Sequence, residues 1–322
     1  MVLPKICILT LNLITINFSS SIDIYFFNIY NIIVMSITPK KLCIYFSYVS
    51  LVNGSAGNIT NAVNVFKDYD QVIFGIGLEK TSHPDHNNTV SIISQLTSLN
   101  VSVYGEIDCT LSFSTIKQSV NKWQAMGAHI YCNKIGFDYG ITRSIQNQII
   151  NYIHSKGLQC FVNNWNPDDI FSNAVKPTYN PTGLATAMTS NDWYLAASYQ
   201  IINGAYQNVS DWTIKANKMV NYKQTYGTKM ACVTTYDTSP FNQSKMDYAY
   251  FSTILYGFDS FGFGEYNYSA TSNSIPFRTR KTFYGTKFDS AIINNGIIFE
   301  RKTNVGIHLN TSTHTIDVLL NM

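Results

Sequence analysis

The stretch IGFDYGITRSIQNQIINYIHSKGLQCFVNNWNPDDIF, residues 135–171, reads as strand, helix, strand with polar groups at both strand ends. Asp138 closes the first strand, and Gly140 breaks the extended run. Ile145, Ile149, Ile150 and Ile153 then recur at helical spacing until Gly157 supplies the left-handed stop that helix ends favour. The second strand, residues 158–163, is followed by Asn164 and Trp165. A carboxylate, the amides of Asn163 and Asn164 and an indole are therefore expected at one rim of a parallel sheet, where α/β folds place their chemistry.

The same alternation runs through the chain. Short β-branched or aromatic runs predict strands at residues 41–49, 71–79, 101–108, 130–138, 158–163, 194–202, 230–236 and 260–266. Amphipathic stretches predict helices at residues 59–69, 90–99, 113–126, 211–226 and 245–256, besides the one in the opening segment. Ser112 or Ser114 is the expected cap of the third helix, and Gly127 its stop. Pro167, Pro177 and Pro181 mark a long loop over residues 166–191. Parallel strands joined by helical crossovers and repeated roughly eight times argue closure, so the expected fold class is α/β, a (β/α)8 TIM barrel. Residues 296–300, 306–309 and 315–320 read as strands joined by polar turns, a small C-terminal β appendage that completes or caps the barrel or is an extra edge over the last helix. The expected organisation is thus an N-terminal extension over 1–34, the barrel over 35–285, and the β appendage over 286–322.

Residues 1–34 differ from the rest, with Asp23 as their single acid and no uninterrupted apolar run of membrane-spanning length. Three readings stand: translation upstream of a start at Met35, a cleaved signal peptide, or an anchor. No stable membrane span is expected, and the expected location is secreted or on a particle or cell surface. Of the 322 residues, 45% are hydrophobic and 14% aromatic, enough for a large core, while only 13% are charged, about half the usual share. The neutral polar surface this leaves suits sugar contact or an assembled particle, and AT-rich codon usage produces the same composition. A net charge of +3 without a large basic cluster argues against nucleic acid as a partner. Six cysteines without CxxC spacing read as buried thiols, with no metal site, disulfide framework or cofactor implied. The H-P-D-H run at residues 83–86 reads as a solvated loop, since no third ligand of fixed spacing accompanies it.

In this acid-poor chain, Glu79, Glu106, Asp108, Asp138, Asp237 and Glu265 all fall at or near expected strand ends, beside Tyr104, Trp165, Tyr199, Tyr236 and Tyr266. Paired carboxylates cleave glycosidic bonds, one as acid and one as nucleophile or base, and aromatic faces stack on sugar rings. The segments NVSVYGEIDC, KWQAMGAHIYCNKIGFDYG and HSKGLQCFVNNWNPDDIF resemble the barrel glycosidase-like group of spherulin-4-type proteins and endo-α-1,4-polygalactosaminidases. The resemblance implies that Asp138 is the functional aspartate. It also implies a glutamate on the sixth strand, where LAASYQ places Ala197 instead. The expected function is a glycoside-hydrolase-like barrel acting on or binding a polysaccharide, or an inactive carbohydrate-binding or structural surface or virion protein. Asp138, Glu265 and Glu106 are the candidate catalytic residues. Trp165, Tyr104, Asn163, Tyr199, Tyr236 and Asp237 are the candidate substrate contacts.

Overall fold

A computed structural model of the chain describes residues 38–235, 241–264, 275, 287–303 and 305–320. Eight parallel strands close into a barrel, as the alternation predicts. In chain order the elements are β1 (Lys40–Tyr45), α1 (Ile59–Phe66), β2 (Gln71–Phe74), α2 (His86–Ser98), β3 (Ser102–Asp108), α3 (Phe113–Ala125), β4 (His129–Asn133), α4 (Arg143–Ser155), β5 (Cys160–Asn163) and a short α5 (Asp168–Phe171). They continue with β6 (Trp193–Ala196), a small hairpin of β7 (Ile201–Ile202) and β8 (Ala205–Tyr206), α6 (Val209–Tyr226), β9 (Lys229–Val233), α7 (Gln243–Leu255) and β10 (Ser260–Gly262). The barrel order is β1-β10-β9-β6-β5-β4-β3-β2, and β1 closes it by pairing with both β2 and β10.

Local chemistry explains the helix limits. Thr142 caps α4 by accepting from the Ile145 amide, Ile149, Ile150 and Ile153 are fully buried on its inner face, and Gly157 takes φ 72° just past its end. Of the two serines proposed for α3, Ser112 is the cap, accepting from the Thr115 amide, and Gly127 follows at φ 85°. Inside the barrel the strands contribute Leu42, Ile44, Ile73, Tyr104, Tyr131, Phe161, Trp193, Leu195, Ala231 and Val233. Large rings fill the cylinder, so it is a packed core rather than a pore. Alternate residues on the same strands, such as Cys43, Val103, Ile130, Cys132 and Cys160, face the helices and form the second, larger core.

The C-terminal appendage is an antiparallel sheet in the order β11 (Ile293–Asn294), β12 (Ile298–Lys302), β13 (Val305–Asn310) and β14 (Thr315–Leu320). It covers α6 and α7: Phe299 lies 5.1 Å from Trp212, ring to ring, and Arg301 Nη1 donates to the Leu255 carbonyl at 2.7 Å. Among the described residues no helix is long and apolar enough to cross a membrane.

Several strands are shorter at their C-terminal ends than the sequence pattern suggests. β4 ends at Asn133, not Asp138, because Lys134 adopts φ 56° and the chain leaves the sheet there. Ile135 and Phe137 continue the apolar pattern, yet they are buried from a loop, with Phe137 stacked 5.1 Å from Tyr179. β2 stops at Phe74, five residues before Glu79, and β6 stops at Ala196, where Ser198 and Gln200 take φ 53° and 67°.

Candidate functional site

The strand-end corrections leave Glu106 and Asp108, both on β3, as the acids carried to the mouth by a described strand. Glu106 is only 7% exposed. Its Oε2 accepts from the Ile76 amide at 3.0 Å, and its Oε1 from Asn133 Nδ2 at 2.7 Å. Burial pushes its carboxyl above the ordinary glutamate value, and these two donors only partly offset that effect. The neighbouring Gly105 lets α3 approach the strand: a Cβ there would stand 2.0 Å from the Trp123 ring. Trp123 Nε1 in turn donates to the Glu106 carbonyl at 3.1 Å, which fixes the backbone beneath the carboxyl.

Glu106 opens on a cavity of about 460 Å³, walled by Phe46, Tyr48, Ile76, His83, Asn133 and Lys134 among others. Tyr48 is 41% exposed, with its ring 5.1 Å from that of His83. Asn163, at the end of β5, reaches Asn133 Oδ1 at 3.4 Å, so a carboxyl and two amides run side by side along β3, β4 and β5. Asp108 plays a different part. Burial raises its pKa, but hydrogen bonds from Lys134 (2.6 Å) and Thr110 prevail and hold the carboxyl below the usual aspartate value.

The other sequence-predicted residues scatter. Asp138 sits exposed in a 3-10 turn, Phe137–Tyr139, and its nearest side-chain donor is Asn164 Nδ2 at 3.4 Å. Gly136 permits that approach, since a Cβ there would lie 1.7 Å from Asn164 Nδ2. Asp138 is not among the residues lining the Glu106 cavity. Trp165 is 45% exposed, and Lys215 Nζ covers its ring at 3.3 Å from the centroid. Lys215 is mostly buried without a hydrogen-bond acceptor, and burial pushes its ammonium down to about 8. Tyr104 does not reach the rim. It is 1% exposed inside the cylinder and donates to Gln159 Oε1 at 3.0 Å, so no ring face is free for a sugar. Tyr199 is likewise fully buried, outside the barrel wall and against Ser252, Trp212 and Phe258.

Glu265, Tyr236, Asp237 and Tyr266 lie outside the described residues. Ala197 packs against the barrel's inner cluster just past β6, so a methyl group stands at that position of the mouth. Glu79 is 1% exposed and spent on its own loop, accepting from the Gly77 amide and Ser119 Oγ. The H-P-D-H run is not a solvated loop. Asp85 is 2% exposed and binds Ser50 and Asn88, while His86 Nδ1 meets the Leu78 carbonyl.

Three structural features escaped the sequence reading. Arg143 is fully buried, pairing Gln146 and the carbonyls of Ile170 and Ser172, and burial lowers its pKa to about 10. It ties α4 to the end of α5; an arginine at a helix start gives no hint of this. At the opposite pole, His154 Nε2 lies 3.0 Å from both carboxylate oxygens of Asp192 and 3.9 Å from Cys160 Sγ. Asn133 was also missed, although a polar residue closing the apolar run IYC is a readable sign of a strand end.

No family profile matches the chain, and no curated protein matches its sequence. Solved structures with a similar course include a GH5-4 broad specificity endoglucanase from Clostridium longisporum, 8% identical with a TM-score of 0.44, covering 72% of this chain and 87% of that one. A GH5-4 broad specificity endoglucanase from an uncultured bacterium is 7% identical with a TM-score of 0.39, covering 71% and 87%. D-psicose 3-epimerase, solved in the presence of D-fructose, is 8% identical with a TM-score of 0.37, covering 70% and 84%. At these identities the likeness concerns barrel architecture and assigns no activity.

Proposed function

We propose that the barrel mouth binds a glycan and that Glu106 is the carboxyl that meets the sugar. The observation that carries this reading is a single juxtaposition: a carboxyl held toward its protonated form by burial faces an open cavity of about 460 Å³. A protonated carboxyl donates to a glycosidic or hydroxyl oxygen, which is the acid's part in glycoside hydrolysis. Asn133 lines the cavity and supplies an amide for ring hydroxyls, with Asn163 behind it, and Tyr48 offers an exposed face for the C–H side of a sugar. The resemblance to spherulin-4-type proteins and endo-α-1,4-polygalactosaminidases agrees with this class and narrows it to a polymer of galactose-type or amino sugars.

Hydrolysis on this reading requires a second carboxylate about 5 to 10 Å from Glu106, depending on stereochemistry. Asp138 and Glu265 are the candidates. Ala197 favours a second reading, a barrel that retains binding without turnover, as a surface or virion component would. Glycan-array binding and reducing-end release from a polysaccharide panel, compared for wild type, Glu106→Gln and Asp138→Asn, test both. Binding by wild type that disappears in Glu106→Gln is the expected result, and equal binding by the two proteins removes Glu106 from the site. Release that is lost in Asp138→Asn supports hydrolysis, whereas binding without release from any polymer supports the second reading.

A further inference from the structure

The base of the barrel holds a second cluster, independent of the mouth. Three elements meet there: the C-terminal turn of α4 brings His154, the start of β5 brings Cys160, and the loop entering β6 brings Asp192. One ligand atom from each lies within 4.8 Å of the others. Asp192 and Cys160 are fully buried, while the His154 side chain is 26% exposed and opens the cluster to solvent.

The geometry distinguishes a metal site from a nucleophile triad. In a triad the imidazole uses one nitrogen for the carboxylate and the other for the nucleophile, so that a proton can be passed. Here the carboxylate and the thiol both face the same nitrogen, Nε2. Such convergence on one point relays nothing, and it is what three ligands around an ion require. Zinc bonds of about 2.0–2.3 Å at tetrahedral angles place ligand atoms about 3.3 to 3.7 Å apart. The observed separations of 3.0 Å (His154 to Asp192) and 3.9 Å (His154 to Cys160) bracket that range. The carboxylate is also oriented from behind: Oδ1 accepts from the Cys160 amide at 2.9 Å, and Oδ2 from the amide and hydroxyl of Thr189 at 2.7 and 2.8 Å. Outer contacts of this kind fix a ligand's direction at metal centres.

We propose that His154, Cys160 and Asp192 bind a divalent cation of the zinc class, with a solvent molecule in the fourth position. The mixed thiolate, imidazole and carboxylate set suits zinc or cobalt rather than calcium or magnesium, which take oxygen ligands. On binding, the Cys160 thiol proton leaves to solvent, and the hydrogen on His154 Nε2 passes to Nδ1 or to solvent, freeing the nitrogen lone pair for the ion. No oxidation change is involved. The ion joins α4, β5 and the entry to β6, and so ties the base of the barrel as a structural centre distinct from the mouth.

Cobalt(II) titration of the full chain, followed in the near ultraviolet and visible, tests the assignment. One equivalent is expected to give thiolate-to-cobalt charge-transfer absorption and tetrahedral ligand-field bands, with a higher thermal midpoint in cobalt or zinc than in chelator. Cys160→Ser should abolish the charge-transfer band, whereas Cys132→Ser, which alters the neighbouring thiol, should retain it. His154→Gln changes a partly exposed residue and should weaken cobalt binding by about tenfold or more. Absence of the band in wild type, or its survival in Cys160→Ser, overturns the proposal. Should Cys160→Ser fail to fold, unchanged cobalt affinity in His154→Gln overturns it equally.

Discussion

The two poles of the barrel each bury a carboxyl, and they treat it in opposite ways. At the base, Asp192 is fully buried but receives four donors, from His154, the Cys160 amide and both the amide and hydroxyl of Thr189. Its pKa is lowered although burial alone would raise it. At the mouth, Glu106 receives two donors and faces a cavity, and burial prevails to raise its pKa. Burial by itself therefore does not mark a reactive acid; the balance between lost water and supplied donors does. The base invests its carboxylate in architecture, and the mouth leaves one incompletely satisfied where a ligand can reach it.

Four substitutions test this contrast. Asp192→Ala, measured by urea denaturation in chelator, is expected to lower stability by on the order of 3 kcal/mol, because the buried Cys160 amide, the Thr189 amide and hydroxyl and an imidazole lose their acceptor. Gly105→Ala drives a methyl into the Trp123 ring at 2.0 Å and should lower stability by about 1 to 3 kcal/mol in the same measurement. It should also weaken glycan binding, since Trp123 holds the Glu106 backbone.

Glu106→Gln should change stability by about 1 kcal/mol or less, with a pH dependence of definite sign. The folded pKa of Glu106 lies above its unfolded value, so its contribution is fully present below the ordinary glutamate range, near pH 4, and is lost as pH rises through the folded value. Relative to Glu106→Gln, wild type should therefore lose stability as pH rises from the ordinary glutamate range through the folded value; a flat difference over that rise would show that the carboxyl is not perturbed. If Glu106 serves as the proton donor, activity should fall over the same rise in pH. Tyr48→Ala should leave stability within about 0.5 kcal/mol while weakening glycan binding about tenfold. A variant that unfolds instead would place Tyr48 in the architecture rather than in the site.

The barrel was legible because strand and helix periodicities alternate with glycine stops, as at Gly127 and Gly157, and these signals are local. Strand ends were less legible. Lys134 turns the chain by adopting a left-handed conformation that nothing in IYCNKIGF announces, and the apolar residues beyond it find burial under a loop. Glu106 was readable as an acid late in a strong strand, whereas its raised pKa depends on Ile76 and Asn133, which come from other strand ends. Asp138 was selected by resemblance and a misplaced strand end. The His154–Asp192 pair was invisible for a simpler reason: the partners are 38 residues apart and meet only when β5 and β6 align.

The aromatic plug within the barrel also governs how a long molecule would approach. Tyr104, Tyr131, Phe161 and Trp193 occlude the axis beneath the rim, so a polymer has no channel to thread. On the proposed reading, the route that the described residues leave is sideways, laid over the opening like a rod across a stoppered tube. If a glycan binds as proposed, entry from the side needs no free terminus, and an interior segment would reach Glu106 as its end does.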